Sequence, residues 1–389
     1  MQSETDPELV SEIRRYGKFD VNGCFSCGTC TLSCKLTTDL SSFPRRLMRY
    51  VQLGLKGEVV SSLEPWLCYH CGDCSEACPR KADPAESMMT LRRYLAAQYD
   101  WTGLSRKIHQ SKAWHLGVLL AVGAIVLGLG YLAHEAYAIE WLQGVLGDDV
   151  FATHPCVPLL NAFDWLVLAL MGLFVFSNVA RMYWFTVGRS GLKVPLAGYL
   201  TELKALLYQA ASQVGLRRCT GNERRWRSHL ALASGCLLMF VLVFLFLDWF
   251  QREELVPLYH PQRWLGYLAT AAILFGAGDA LVGRIRKREP KLSSSELDDW
   301  VLPVLLLLTA VTGILIHVLR YLGLPLWSAD LYAAHMVVVV PLLLVELPFG
   351  KWAHAFYQPL AGYFEALKRR ALLARPVETA VAQPAPRVA

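Results

Sequence analysis

Charge is scarce in this chain of 389 residues. Asp, Glu, Lys and Arg make up 18% of it against 54% hydrophobic residues, and the imbalance is concentrated after about residue 112. That excludes an ordinary soluble protein for most of the chain and leaves the first hundred residues as a soluble domain. Other absences narrow the reading. Residues 1–23 are polar, with no basic stretch followed by an apolar run and cleavage site, so no secretory signal is read there and this end is expected in the cytoplasm. There is no C-x-x-C-H, which argues against covalently attached c-type haem. No G-x-G-x-x-G follows a strand pattern, so there is no flavin fingerprint. The net charge of +6 comes from basic residues in loops beside apolar segments, which membrane topology explains better than nucleic acid; no nucleic-acid partner is expected.

What is present starts with cysteine. Eight of the eleven cysteines fall in two runs, Cys24, Cys27, Cys30, Cys34 and Cys68, Cys71, Cys74, Cys78, each spaced C-x2-C-x2-C-x3-C, the second followed by Pro79. A [4Fe–4S] cube needs four thiolates converging on its corners, and a short loop with cysteines three apart supplies three of them. In two-cluster domains the fourth cysteine of each run serves the other cluster. That gives Cys24, Cys27, Cys30 and Cys78 to one cluster and Cys68, Cys71, Cys74 and Cys34 to the other; the swapped assignment would differ little in function. Zinc sites favour paired C-x2-C knuckles rather than this twice-repeated run of four. Disulfides do not suit a domain kept in a reducing compartment. The linker of residues 41–67 has helical periodicity around Leu47, Tyr50, Val51 and Leu55 and few strand signals, which predicts a small helical cluster domain rather than a βαβ fold. Cys156, Cys219 and Cys236 have no cluster spacing and are read as structural.

After residue 112, six apolar segments are long enough to cross a hydrocarbon core of ~30 Å: 114–134, 163–187, 229–250, 264–283, 300–322 and 331–350. Lys and Arg crowd the 188–228 and 284–298 connections, including Arg217, Arg218, Arg224, Arg286 and Lys291, whereas 135–162 and 323–330 carry none. By the positive-inside rule both termini are cytoplasmic, in a bacterial inner membrane. Residues 192–209 read as an interfacial amphipathic helix or a cytoplasmic loop. The expected class is all-α. A cytoplasmic two-[4Fe–4S] domain (1–112) precedes a six-span transmembrane haem-b bundle (113–358) and a cytoplasmic tail (359–389).

Histidine depth supplies the haem expectation. Two neutral imidazoles facing each other across a bundle make a low-spin haem. His229, at the start of the third span, is level with His354, just past the sixth; His317 and His335 lie together toward the outer side. His115, at the start of the first span, is the rival inner ligand. His109, His134, His154 and His260 sit at or outside the boundaries, where solvated or interfacial roles are favoured. His260 or Asp330 are secondary candidates for proton relay. Asp279 and Glu346 are read as buried carboxylates that either relay protons or make helix–helix hydrogen bonds.

The paired cysteine runs resemble the C subunit of heterodisulfide reductase. The membrane part resembles the cytochrome-b gamma subunit of respiratory nitrate reductase, through RSHLALASG around His229 and the LPFGKWAH ending at His354. Fusion in this order is similar to the C subunits of the quinone-interacting membrane-bound oxidoreductases of sulfur-metabolising bacteria, over nearly the whole chain before about Arg375. Two departures stand out. Met239 occupies the position, ten residues after His229, where the gamma family carries a second histidine, so His317 is the substitute ligand. His335 and His354 are one residue further apart than in that family, which turns them about 100° apart on a regular helix unless Pro341 and Pro348 absorb the twist. The resemblance implies oxidation of menaquinol in the membrane. Electrons would pass through one or two b haems and both clusters to flavin/iron–sulfur subunits resembling heterodisulfide reductase A, and on to adenylylsulfate reductase. Its alternative is a quinone-reducing subunit of a heterodisulfide- or sulfite-reductase-linked complex. Either way the chain is expected to be an oxidoreductase subunit, inactive alone.

Overall fold

Glycine, proline and polar caps set the helix boundaries of this computed structural model, which describes residues 5–38, 41–146, 157–250, 255–289 and 296–373. Cys156, His154, Lys291 and the tail from 374 lie outside the described residues. In chain order the first helices are α1 (Leu9–Arg14), α2 (Thr29–Leu32), α3 (Arg45–Gln52), α4 (Lys56–Val60), α5 (Glu64–Leu67), α6 (Asp73–Glu76) and α7 (Pro84–Tyr99). They continue as α8 (Leu104–Gln110), α9 (Lys112–Leu146), α10 (Val157–Thr186), α11 (Leu196–Ser212), α12 (Val214–Thr220), α13 (Glu223–Phe240) and α14 (Leu247–Phe250). The last are α15 (Pro261–Ile285), α16 (Leu297–Tyr321), α17 (Pro325–Pro341), α18 (Leu347–Phe349) and α19 (His354–Leu373). No strand occurs among the described residues; the one extended pairing is an isolated bridge between Thr38 and Ser41. The class is all-α.

Local chemistry explains the starts. Asn222 caps α13 by accepting from the Arg225 amide at 3.0 Å, ahead of acidic Glu223. α15 begins with Pro261 at its first position, and the His260 ring accepts from the Gln262 amide at 3.3 Å. A reciprocal capping box of Glu296 and Asp299 opens α16.

The chain divides into two units. The first gathers residues 1–99, 179–220 and 354 onward. Its core is built on Leu9, Ile13, Leu47, Met48, Val51, Leu63, Leu91 and Leu95, each at most 1% exposed. Trp66, Tyr99 and Tyr357 form an aromatic cluster with ring centroids 4.6–6.5 Å apart. α19 enters this core through Tyr357, Ala361, Phe364, Leu367 and Ala371, a spacing of three and four that lines one helix face. Its other contacts hold α11, where the Tyr363 hydroxyl donates to the Tyr199 carbonyl at 2.8 Å.

The second unit holds residues 100–178 and 221–353. Among the described residues of both units six helices are long and apolar enough to cross a membrane: Lys112–Leu132, Ala162–Ser190, Glu223–Leu245, Pro261–Ile285, Leu297–Tyr321 and Trp327–Phe349. Every expected span is there, with ends within a few residues. Many of their apolar side chains point outward, Leu120, Leu237 and Leu268 among them at 61% exposure or more. Such a surface calls for lipid rather than water. Close helix approach relies on small residues: a Cβ at Gly276 of α15 would meet Leu232 Cβ at 2.5 Å and Ser228 O at 2.7 Å on α13. The sixth span is not one regular helix. After α17 come a π turn over Leu342–Glu346, the single turn of α18, extended Gly350 and a 3-10 turn over Lys351–Ala353 before His354 opens α19. The 100° expectation for His335 and His354 therefore does not hold, because their separation is not spanned by continuous helix.

Candidate iron–sulfur site

The two cysteine runs fold as the same turn twice. Ser26 and His70, each preceding the second cysteine of its run, take φ of +54° and +50°. Gly28 and Gly72, each following that cysteine, take φ of +91° and +101°. Each glycine is the cap of a one-turn helix, α2 or α6, that carries the third cysteine. At Gly72 a Cβ would meet nothing within 4 Å, so glycine is required there by its backbone angle rather than by space.

Cys34, Cys68, Cys71 and Cys74 line one cavity together with Leu36, Phe43, Tyr69, Asp73 and Ala85. The charges of Cys24, Cys27 and Cys78 act on Cys30, which in turn acts on Cys74. The cavity thus draws cysteines from both runs. Among the described residues no three His, Cys, Asp or Glu side chains converge tightly enough for a single metal ion, and none of the described cysteines is in a disulfide. Four motif cysteines around one cavity suit an iron–sulfur cube, which is held by four thiolates.

Electrostatics fit a metal-held thiolate set. Burial pushes the Cys34 thiol up to about 11, and burial followed by neighbouring Cys68 and Cys71 pushes Cys74 up further. Cys30 is raised by burial and then by Cys24. Crowded, buried thiols of this kind resist ionising alone and need bound cations to hold them as thiolates. Two thiols are drawn down instead: Cys27 by its hydrogen bond with the Thr29 side chain, and Cys71, by a side-chain hydrogen bond with Cys219, to about 6. Two backbone amides also point at sulfur, His70 N to Cys68 Sγ and Ala82 N to Cys78 Sγ, both at 3.4 Å.

Polar side chains fix the loops. Gln52 of α3 donates to the carbonyls of Cys24 at 2.8 Å and Val21 at 3.2 Å. Arg92 of α7 donates to the Pro65 carbonyl at 2.6 Å and the Trp66 carbonyl at 2.9 Å, and also to the Cys68 carbonyl. The Ser75 hydroxyl donates to Asp83 at 2.6 Å and accepts from the Ala85 amide at 3.0 Å, tying α6 to α7.

Sequence reasoning missed Cys219. It is 5% exposed, sits at the end of α12 and lines the same cavity as Cys34, Cys68, Cys71 and Cys74. Nothing in its spacing marks it, because it lies more than 140 residues beyond the second run.

The membrane histidines differ in what their ring nitrogens do. His335 Nδ1 is 2.7 Å from Thr312 Oγ1, and the Thr312 hydroxyl gives its only proton to the Leu308 carbonyl at 2.6 Å. With that proton on Leu308, Thr312 accepts from His335 Nδ1–H and Nε2 keeps its lone pair, the tautomer an iron ligand needs. His317 Nε2 is 2.7 Å from the Tyr267 hydroxyl, and its ring packs on Tyr321 at 4.6 Å. His317 thus turns toward α15 while His335 turns toward α16. His229 lies half-buried on α13 of the second unit, and His354 is the first residue of α19 in the first unit. His115 is fully buried with both nitrogens engaged: Nδ1 with Asp298 at 3.0 Å, Nε2 with Glu346. As an iron ligand His115 would have to give up one of these bonds. His109 joins the same Asp298 at 3.1 Å. Asp279 serves as a helix–helix ion pair, bound by Arg224 at 2.7 Å and Arg288 at 2.6 Å.

This architecture defines a helical two-cluster iron–sulfur protein that carries membrane helices. A family model described as a 4Fe-4S dicluster domain matches residues 13–82. An iron–sulfur C subunit of CoB–CoM heterodisulfide reductase from Methanocaldococcus jannaschii, the one numbered 2, is 35% identical over 152 residues, 37% of this chain and 74% of that one. The corresponding iron–sulfur C subunit of Methanopyrus kandleri is 38% identical over 120 residues, 29% of this chain and 60% of that one. A protein of Archaeoglobus profundus described as like the heterodisulfide reductase C subunit is 30% identical over 99 residues, 25% of this chain and 53% of that one. The chain thus spans about half to three-fifths of the length of these last two relatives. No solved structure matches. Through its N-terminal region the chain belongs to the family of heterodisulfide reductase iron–sulfur C subunits.

Proposed function

We propose that this protein exchanges electrons between a membrane quinone pool and soluble flavin/iron–sulfur partners, as the membrane-anchored subunit of an oxidoreductase complex. The observation that carries the reading is the cavity lined by Cys34, Cys68, Cys71 and Cys74 on a chain that also supplies six membrane-length apolar helices. In this reading residues 1–112 hold two [4Fe–4S] clusters, one on those four cysteines and one on Cys24, Cys27, Cys30 and Cys78. Residues 113–358 form a cytochrome b, and 359–389 a cytoplasmic tail. His229 with His354, and His335 with His317, are the proposed haem ligands. The bare Nε2 of His335 supports the outer site; there Tyr267 must give up its bond to His317, or iron must take His317 Nδ1.

Bound in these places, clusters and haems supply one-electron transfer. The chain's own residues hold thiolates and imidazoles in fixed positions, keep the cluster cavity largely apolar and anchor the assembly in lipid. Menaquinol is the proposed reductant. The proposed acceptors are flavoprotein subunits resembling heterodisulfide reductase A and, beyond them, adenylylsulfate reductase. An inner bacterial membrane with both termini cytoplasmic accords with the basic 188–228 and 284–298 connections.

The test is iron, acid-labile sulfide and pyridine-haemochrome analysis of the purified chain, with a dithionite-reduced-minus-oxidised spectrum. The expected result is about eight non-haem irons from two cubes, a b-type spectrum and loss of one haem in His335→Ala. Absence of haem would overturn the cytochrome reading and leave the clusters standing.

A further inference from the structure

Three contacts bring the segment between the second and third membrane helices onto the two cysteine runs. The Gln209 side chain of α11 donates to the Tyr69 hydroxyl at 2.8 Å, next to Cys68, and its carbonyl oxygen accepts from the Gly215 amide at 3.3 Å, which sets the turn into α12. Lys35, next to Cys34, donates from Nζ to the carbonyls of Arg218 at 3.2 Å and Cys219 at 3.1 Å. The end of α12 is thereby held against the cavity, and Cys219 reaches Cys71 with its side chain. A cysteine bound to iron has no proton to give, so of these two cavity-lining side chains Cys219, the free thiol, is the donor and Cys71 the acceptor.

We propose that Cys219 is a positioning residue for the second cluster, a fifth thiol that ligates no iron and donates an S–H hydrogen bond to the Cys71 thiolate. This rests on the proposal that Cys34, Cys68, Cys71 and Cys74 hold a [4Fe–4S] cluster. The physical consequence follows from charge. Reduction adds an electron to a cluster whose negative charge is spread over its sulfurs, so a donor aimed at one of them stabilises the reduced form more than the oxidised form and raises the potential. The motif has no part in this effect. The donor is delivered by α11 and α12, so the cluster tuned in this way is the one that the segment between the spans touches.

The test uses the full-length chain, purified anaerobically in detergent, as wild type, Cys219→Ala and Cys219→Ser. Iron and sulfide are counted and both clusters are titrated by EPR-monitored potentiometry. The expected result is unchanged iron and sulfide in both variants, with one cluster shifted to lower potential in Cys219→Ala. The shift corresponds to roughly a tenfold change in the reduction equilibrium, about 59 mV for one electron. The other cluster stays in place. Cys219→Ser, which keeps a hydroxyl donor, shifts less, and decides the matter if the alanine variant does not fold. Two unmoved potentials at full iron content would overturn the proposal and leave Cys219 as packing. Loss of one cluster's iron in both variants would overturn it by making Cys219 a ligand. A wild type with no second cluster would instead overturn the underlying cluster reading, so the two failures are distinct.

Discussion

Arg92 shows how single residues determine whether the cysteines converge. Its planar fork reaches the carbonyls of Pro65, Trp66 and Cys68 at once, bonds of the charge-assisted kind that contribute about 1.5–3 kcal/mol each. Arg92→Ala should free the stretch of backbone that leads into Cys68 and lower iron and sulfide toward half of the wild-type content, while the first cluster stays. Arg92→Lys should rescue little, since one ammonium cannot serve three fixed carbonyls. Full iron retention in both variants would show that the loop is held by other means. At this scale the sequence was readable wherever the information is local. The cysteine spacing names eight ligand candidates because a cube is wrapped by a short loop. Cys219 was not readable, because its relevance is set by where α12 packs.

Helices α8, α9 and α16 and the π turn at Leu342–Glu346 meet in a buried polar knot in which His115 is shared between Asp298 and Glu346 and His109 joins Asp298. His115 and Glu346 are both 0% exposed, and Glu346 Oε2 has no hydrogen-bond partner. Removing the imidazole would leave two carboxylates without their shared donor in an apolar setting of Ile108, Val345 and Phe349. Breaking a buried pair in this way costs about 3–5 kcal/mol. His115→Phe should therefore lower the thermal midpoint of the detergent-solubilised chain clearly, with haem content unchanged. Loss of a haem with an unshifted midpoint would place His115 in the set of iron ligands. Hydropathy alone located all six spans, since length and apolarity are properties of a segment. It did not locate this knot, the break between His335 and His354, or the burial of α19 in the first unit. The stripe Tyr357, Ala361, Phe364 and Leu367 says that one face of α19 is covered, but not by what; that depends on residues hundreds of positions away, Trp66 and Tyr99 among them.

At the scale of the whole molecule, the first unit carries both cysteine runs and the second most of the apolar helices, yet the first is assembled from three separate stretches of chain. The first unit is thus not simply the first hundred residues: it is completed by 179–220, which takes in the end of the second apolar helix and runs on toward the third, and by 354–373, which follows the sixth. The central claim is that clusters and membrane quinone are in electronic contact through this one chain. The most direct test is to reduce the purified protein with dithionite, remove the excess, add a menaquinone analogue anaerobically and follow the cluster EPR signals together with the haem bands. The account predicts that all of them are reoxidised by the quinone, and that His335→Ala slows the process. Signals that persist after quinone addition, yet vanish on adding ferricyanide, would contradict it.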